Sequence, residues 1–288
     1  MDIRAVLMGV AFAAMWSSAF TSARVIVEYA PPLSALALRF LISGLLGVAI
    51  AWALGQSARL TRAQWLAVVV FGVCQNALYL GLNFVAMQTV EASFAAIIAS
   101  TMPLLVALSG WLIFGTKVRP LGVGGLVAGV FGVVLIMGAR LQGGVDPFGF
   151  VLVLLGVLSL TAATLAVGRA AWNGNVLMIV GLQMLVGSAI LLVPALLFET
   201  LDNIIWNWQL VVAFIYTTLV PGLAATLVWF LLVGRIGTVK ASTFHFLNPF
   251  LGVAIAAVIL GEAIGVLDII GVVIIAGGIL AVQLSKQT

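Results

Sequence analysis

The chain is 288 residues long, with 64% hydrophobic and 7% charged positions and a mean hydropathy of +1.33. A soluble globule keeps about a quarter of its residues charged, and 12 basic plus 8 acidic side chains cannot coat a domain of 30.0 kDa. Soluble enzyme, nucleic-acid-binding module and disordered scaffold are therefore excluded, and the formal charge of +4 reflects topology rather than a polyanionic partner.

Apolar runs of about 20 residues, the length that crosses a hydrocarbon core, predict ten membrane spans at 4–22, 33–54, 64–85, 91–114, 120–138, 148–168, 175–197, 209–233, 238–260 and 265–284. The stretch that follows Met1-Asp2-Ile3-Arg4 is apolar to Phe20 but has no basic n-region with a small-residue cleavage site, so it reads as the first span. Cys74 is the one cysteine and lies inside span 3, where it packs as a small hydrophobe and can form no disulfide within the chain.

Lys and Arg near span ends set the orientation. With the N-terminus in the cytoplasm, the inside segments hold Arg4, Arg59, Arg62, Lys117, Arg119, Arg169, Arg235, Lys240 and Lys286, against Arg24 and Arg140 outside. Both termini are thus expected inside. Glu28, Glu91, Asp146, Glu199, Asp202, Glu262 and Asp268 then fall outside and Asp2 inside, which leaves no carboxylate for the membrane interior. Trp52, Trp65, Trp111, Trp172, Trp206 and Trp208 lie at or near span ends, as interfacial aromatic belts do.

A gapless shift of 146 positions pairs Ala95 with Ala241, Pro103 with Pro249, Ile113 with Ile259 and Gly115 with Gly261. It also pairs Leu121 with Leu267, Gly125 with Gly271, Val127 with Val273 and Gly132 with Gly278. The shared mid-span Pro and the shared Gly carry the inference of a duplication, with copies at 1–142 and 143–288. Five spans per copy is an odd number, so the second copy is inverted. Inverted repeats characterise secondary transporters, with the substrate site near the midplane where the repeats meet. The predicted fold class is an all-α polytopic membrane protein of ten helices in two inverted five-helix repeats.

Polar groups inside the spans mark candidate sites, because lipid tolerates them only beside protein or water. Span 1 carries Trp16, Ser17 and Ser18, which with Ser159, Thr161 and Thr164 of span 6 can supply aromatic and hydroxyl contacts. Arg39 in span 2 lies about two turns below the surface; it is expected to snorkel to the interface, with contact to a substrate carboxylate as the alternative. In span 3, Gln75, Tyr79 and Asn83 recur every four residues with Asn76 alongside, a stripe that lines a cavity or glues helices together. Span 4 holds Ser100 and Thr101 before Pro103, and span 9 runs Thr238, Ser242, His245 and Pro249 on one face with Asn248 adjacent. Pro103, Pro221 and Pro249 each free a backbone carbonyl near mid-span, as a hinge or a static kink. Gly122, Gly125, Gly129 and Gly132 run along one face of span 5 and allow close helix approach, within the bundle or between two copies.

Several of these residues also carry a resemblance. Trp16-Ser17-Ser18-Ala19-Phe20, Leu38-Arg39-Phe40, Ala92-Ser93 through Ala99-Ser100-Thr101-Met102-Pro103-Leu104, and Asn248-Pro249-Phe250 with Leu260-Gly261-Glu262 resemble the drug/metabolite transporter superfamily in its ten-span EamA-type branch. The resemblance covers essentially the whole chain and is strongest to bacterial exporters of aromatic and other amino acids. One departure stands out: Gly115 is followed by Thr116-Lys117, where a Glu is common in the family. The resemblance implies two five-span halves, each with four helices around a central cavity and a fifth supporting helix, with spans 1, 3, 4, 6, 8 and 9 lining much of the wall.

The expected substrate-binding set is Trp16, Ser17, Gln75, Asn76, Tyr79, Asn83, Ser100, Thr101, Thr161, His245 and Asn248, with Pro103, Pro221 and Pro249 as hinges or gates. No Walker-type phosphate loop, zinc or haem ligand set or nucleophile elbow is present, so no cofactor, metal or catalytic residue is expected. A neutral cavity of amides, hydroxyls, Tyr and Trp suits zwitterionic amino acids with broad selectivity. The expectation is therefore a non-enzymatic exporter of aromatic and other neutral amino acids and related metabolites, working by alternating access in a bacterial inner membrane. Its partners would be the substrate and the bilayer, not nucleic acid; one copy would suffice, with a dimer as the alternative. Proton-coupled export of other metabolites or drugs through His245 is the competing reading, and an intramembrane enzyme or channel the competing class.

Overall fold

The structure is a computed structural model that describes residues 3–115, 117–142, 144–166 and 175–285. Among these residues there is no strand, and ten helical segments are long and apolar enough to cross a membrane. They are α1 (Ile3–Tyr29), α2 (Pro32–Ala53), α3 (Arg62–Ala86), α4 (Ala92–Ile113), α5 (Pro120–Gly138), α6 (Pro147–Ala166), α7 (Val176–Phe198), α8 (Trp208–Ile236), α9 (Lys240–Leu260) and α10 (Val266–Ser285). The chain is an integral membrane protein, and nine of the ten predicted spans coincide with these segments to within three residues, whereas α1 runs on to Tyr29, seven residues past the predicted end at 22. Asp2, Thr116, Arg169, Trp172 and Lys286 lie outside the described residues. Trp52, Trp65, Trp111, Trp206 and Trp208 are exposed, in keeping with a surface that meets lipid and its interface.

Local geometry recurs at a constant offset. α3 begins at Arg62 and α8 at Trp208, while α5 begins at Pro120 and α10 at Val266, each pair 146 positions apart. α4 breaks at Thr101 and resumes as a helix over Met102–Phe114; α9 passes through a 3-10 turn at Thr243–Leu247 and resumes over Asn248–Leu260 at the same offset. Pro103 and Pro249 each stand in the first turn of the resumed helix, where a missing N–H leaves no unmade bond. Gly115 and Gly261 end those helices with φ of +62° and +70°, the left-handed cap that a side chain would strain.

The helices gather into two compact units that each draw on both halves of the sequence. The first comprises residues 1–21, 89–154 and 224–288. Its core packs Ile97 and Leu104 of α4 with Leu126 and Ile136 of α5, Val253 of α9, and Val272, Ile275 and Ile279 of α10. α5 and α10 approach backbone to backbone: a Cβ on Gly125 would stand 2.6 Å from Gly278 O, and one on Gly278 2.6 Å from Gly125 O. The glycine face of α5 is thus spent inside this unit, with Gly129 against Leu104 and Gly132 against Gly271 and Ile275. Glu262 follows the Gly261 cap and accepts from the amides of Ala92 and Ser93 at 2.8 and 2.9 Å, closing the open N-terminus of α4 with a charged acceptor. At the start of α6, Asp146 accepts from Thr89 Oγ1 and from the amides of Gly149 and Phe148. The Thr89 hydroxyl is the largest of the causes that hold its carboxyl below the ordinary aspartate value.

The second unit comprises residues 22–88 and 155–223. Here α2 and α7 pack through Gly44 and Gly181, and a Cβ on Gly44 would stand 3.0 Å from Gly181 O. Their ends cap one another. Glu199, just past α7, accepts from the amides of Leu33 and Ser34 at the start of α2, at 2.8 and 2.7 Å. Gln56, just past α2, accepts from the Met178 amide at the start of α7 at 3.0 Å.

Gly278→Ala must drive α5 and α10 apart and is expected to lower stability by about 1–3 kcal/mol. Gly124→Ala, whose Cβ meets nothing within 4 Å, should leave it unchanged or raised. Thermal unfolding of the purified protein in detergent checks the pair, and equal midpoints for the two variants would contradict the close α5–α10 contact.

Candidate functional site

In the first unit, four rings converge. Phe12 and Trp16, one turn apart on α1, face Trp229 of α8 and His245 in the 3-10 turn of α9. Ring centroids are 4.8 Å apart for Phe12–Trp229, 5.9 Å for Phe12–Trp16 and 5.3 Å for Trp229–His245. Phe12 and Trp16 meet the imidazole edge-on, at 89°, with centroids 5.4 and 6.3 Å away. Edge-to-face geometry places a positive ring edge on a negative ring face. Trp16, Trp229 and His245 are half-buried, whereas Ser17 and Asn248 beside them are buried.

His245, in the 3-10 turn of α9, and Asn248, at the start of the resumed helix, are three residues apart and lie side by side. Asn248 Nδ2 lies 3.0 Å from His245 Nδ1, within hydrogen-bond distance. Ser17 Oγ donates to the Asn248 carbonyl at 3.3 Å, tying α1 to the start of the resumed helix. Asn248 Oδ1 is buried without a hydrogen-bond partner. The cluster therefore offers apolar ring faces, one buried amide oxygen and no fixed charge.

In the second unit, α3 is π-helical over Gly72–Leu80 and α8 over Val220–Ala224. In a π segment each carbonyl pairs with the amide five residues on instead of four, and such segments recur at functional sites. Ser159 of α6 donates to Cys74 O at 3.0 Å, and Asn83 Nδ2 donates to Tyr79 O at 2.8 Å. On α8, Pro221 frees the Thr217 carbonyl, and Arg39 Nε donates to it at 3.2 Å. Arg39 is 5% exposed, with its guanidinium 5.2 Å from the Phe40 ring centre. It does not snorkel as expected: a freed carbonyl inside the unit satisfies the cation where it stands.

Comparison with known proteins fits this architecture. The EamA-like transporter family matches residues 3–138 and again 147–284. The chain belongs to the EamA-like transporter family. Its relatives include the uncharacterized transporter YvbV of Bacillus subtilis, 25% identical over 95% of this chain and 89% of that protein. The uncharacterized inner membrane transporter YedA of Escherichia coli is 25% identical over 97% of this chain and 91% of its own. The aromatic amino acid exporter YddG of Ancylobacter novellus is 33% identical over a shorter stretch, 42% of this chain and 40% of that one. A solved crystal structure shares the fold with a TM-score of 0.70 at 22% identity, covering 99% of this chain and 98% of that one.

Within this EamA-like chain, the expected site residues fall into three groups. Trp16, Ser17, His245 and Asn248 come together in the ring cluster. Asn76, buried, donates to Gln183 O of α7 at 2.9 Å, an interhelical bond, and Asn83 fills the space that Gly156 leaves. Tyr79 is buried in the same stretch of α3, while Gln75 is half-buried. Ser100, Thr101 and Thr161 turn their hydroxyls back to Ala96, Ile98 and Val157 carbonyls of their own helices, at 2.6, 2.6 and 2.8 Å, as hydroxyls in apolar helices do. Among the described residues, no group of three or more His, Cys, Asp or Glu could hold a metal ion. A cavity of about 510 Å³ near the ends of α1, α2, α3 and α7 is lined by Glu28, Tyr29, Gln88 and Glu199 and includes none of the expected residues. Sequence reasoning missed Phe12 and Trp229. Trp229 sits well inside its span, as Trp16 does, and that depth was the available signal.

Asn76→Ala removes the α3–α7 cross-link and is expected to lower stability by about 0.5–2 kcal/mol. A thermal midpoint in detergent equal to the parent's would show that this amide joins no helices.

Proposed function

We propose that this EamA-like transporter is a secondary carrier that exports aromatic and other neutral amino acids. It works by alternating access between two inverted copies of one five-helix repeat. The observation that carries the substrate class is the ring cluster of Phe12, Trp16, Trp229 and His245 around the buried, unpartnered Asn248 Oδ1. Aromatic faces hold an apolar or aromatic side chain in offset or edge contact, and an amide oxygen accepts from an ammonium or amine. The neutral surroundings suit a zwitterion, which brings no net charge to be compensated. The named aromatic amino acid exporter among its relatives supports the same class. The twofold match of the family and the shared 146-position offset support the duplication. The relative named as an inner membrane transporter and the Lys/Arg distribution support an inner-membrane location with both termini in the cytoplasm. All eight acidic residues lie in loops or near span ends rather than at mid-span, which favours passive exchange down the substrate gradient.

A second reading, proton coupling through His245, rests on that ring's place inside the cluster. Uptake of labelled phenylalanine, threonine and lysine into proteoliposomes, with and without an imposed pH gradient, separates the two. Uptake of several amino acids, indifferent to the gradient, is the expected result; acceleration that His245→Asn abolishes would favour coupling. Trp229→Ala should raise the KM for phenylalanine about tenfold, the factor set by losing roughly 1.4 kcal/mol of ring contact, with a smaller change for threonine. If Trp16→Ala, Trp229→Ala and Asn248→Ala all transported like the parent, the ring cluster would not be the substrate site.

A further inference from the structure

The buried cation of α2 and the defect in α8 answer one another. Pro221 has no N–H, so the carbonyl four residues earlier, Thr217 O, loses the donor that an α-helix would give it, and Arg39 Nε donates to it at 3.2 Å. One turn further along α2, Ser43 Oγ donates to Thr218 O at 3.3 Å. The hydroxyls of Thr217 and Thr218 are occupied on Ala213 O and Phe214 O, so the two bonds from α2 go to carbonyls alone. Gly222 makes room for this contact: a Cβ there would stand 3.2 Å from Thr217 O, 3.4 Å from Ser43 Oγ and 3.6 Å from Arg39 Nη2. A carbonyl without a donor and a guanidinium without an acceptor are each unfavourable inside a membrane span. Set together, each removes the other's penalty.

The bulge recurs in α3 at the same repeat position but is held differently. The residue 146 places before Pro221 is Gln75, which keeps its N–H. The neighbouring carbonyls of Cys74 and Tyr79 are met by Ser159 and Asn83, without a cation. A charged latch on the bulge thus belongs to α8.

We propose that Arg39 is a positioning residue for transport, acting through Thr217 O: with Ser43 it holds the Pro221 bulge in place, so that α8 bends there as the carrier changes face. The transport role rests on the alternating-access reading above, whereas the local coupling of Arg39 to Pro221 stands without it.

A double-mutant cycle on the full-length chain tests both parts, with uptake kinetics in proteoliposomes and thermal midpoints in detergent for Arg39→Leu, Pro221→Ala and the double variant. Arg39→Leu is expected to lower the maximal uptake rate about tenfold at unchanged KM, the scale of one lost hydrogen bond to a charged group. In the Pro221→Ala background, the restored N–H at position 221 reclaims Thr217 O. Arg39→Leu should then add no further loss of rate and no further drop in midpoint. Rate losses that multiply, midpoint shifts that add, or a raised KM at an unchanged maximal rate would overturn the proposal, the last by making Arg39 a substrate contact. Coupled midpoints with a parental uptake rate would overturn the transport role alone. If Arg39→Leu does not accumulate as folded protein, recovery of folded protein in the double variant is the expected result, and equal failure of both overturns the latch. A parent chain that takes up no amino acid would count against the substrate reading only, since the thermal cycle judges the latch independently.

Discussion

Inside a bilayer no water stands by to satisfy a backbone N–H or C=O, and this single constraint organises the molecule. At several helix ends and interruptions a specific donor or acceptor is found nearby. Glu262 closes the start of α4, and Glu199 and Gln56 close the starts of α2 and α7. Ser159 meets the α3 bulge, and Arg39 with Ser43 meets the one in α8. The irregular segments are therefore built features with dedicated partners. Removing Ser159 or Arg39 takes a donor from a carbonyl inside a span, where lipid offers none in its place.

The same economy shapes the candidate site. By breaking at Thr243–Leu247, α9 sets His245 against Phe12, Trp16 and Trp229 and leaves Asn248 at the start of the resumed helix. An unbroken helix would keep its polar groups in one regular stripe. The break gathers aromatic faces around an amide that still has an acceptor to give. As the proposed substrate site, the cluster would bind through shape and stacking more than through charge.

Much of the fold was legible in the sequence because lipid makes strong and simple demands. Ten apolar runs predict ten spans, and a shift of 146 positions pairs Pro103 with Pro249 and Gly115 with Gly261. The structure places these pairs in the same helical turn and in the same left-handed cap. The site was legible only in part. Asn76, Ser100, Thr101 and Thr161 carry the same polar atoms whether they meet a substrate or a carbonyl, and only coordinates reveal which carbonyl each one bonds. From sequence Arg39 is expected to snorkel, because its acceptor, Thr217 O, lies 178 positions away in the chain, beyond any local pattern. Phe12 looks like any other apolar residue of α1 until Trp229 and His245 are set beside it.

Access to the ring cluster from the two sides of the membrane tests the carrier reading most directly. In a chain with Cys74→Ser, which removes the lone native thiol, Trp16→Cys would be exposed to a membrane-impermeant maleimide from either face in turn. An alternating carrier predicts labelling from both faces, slowed on both by saturating phenylalanine and without continuous passage of ions. Labelling from one face alone under every condition, or labelling accompanied by steady ion conduction, would contradict it.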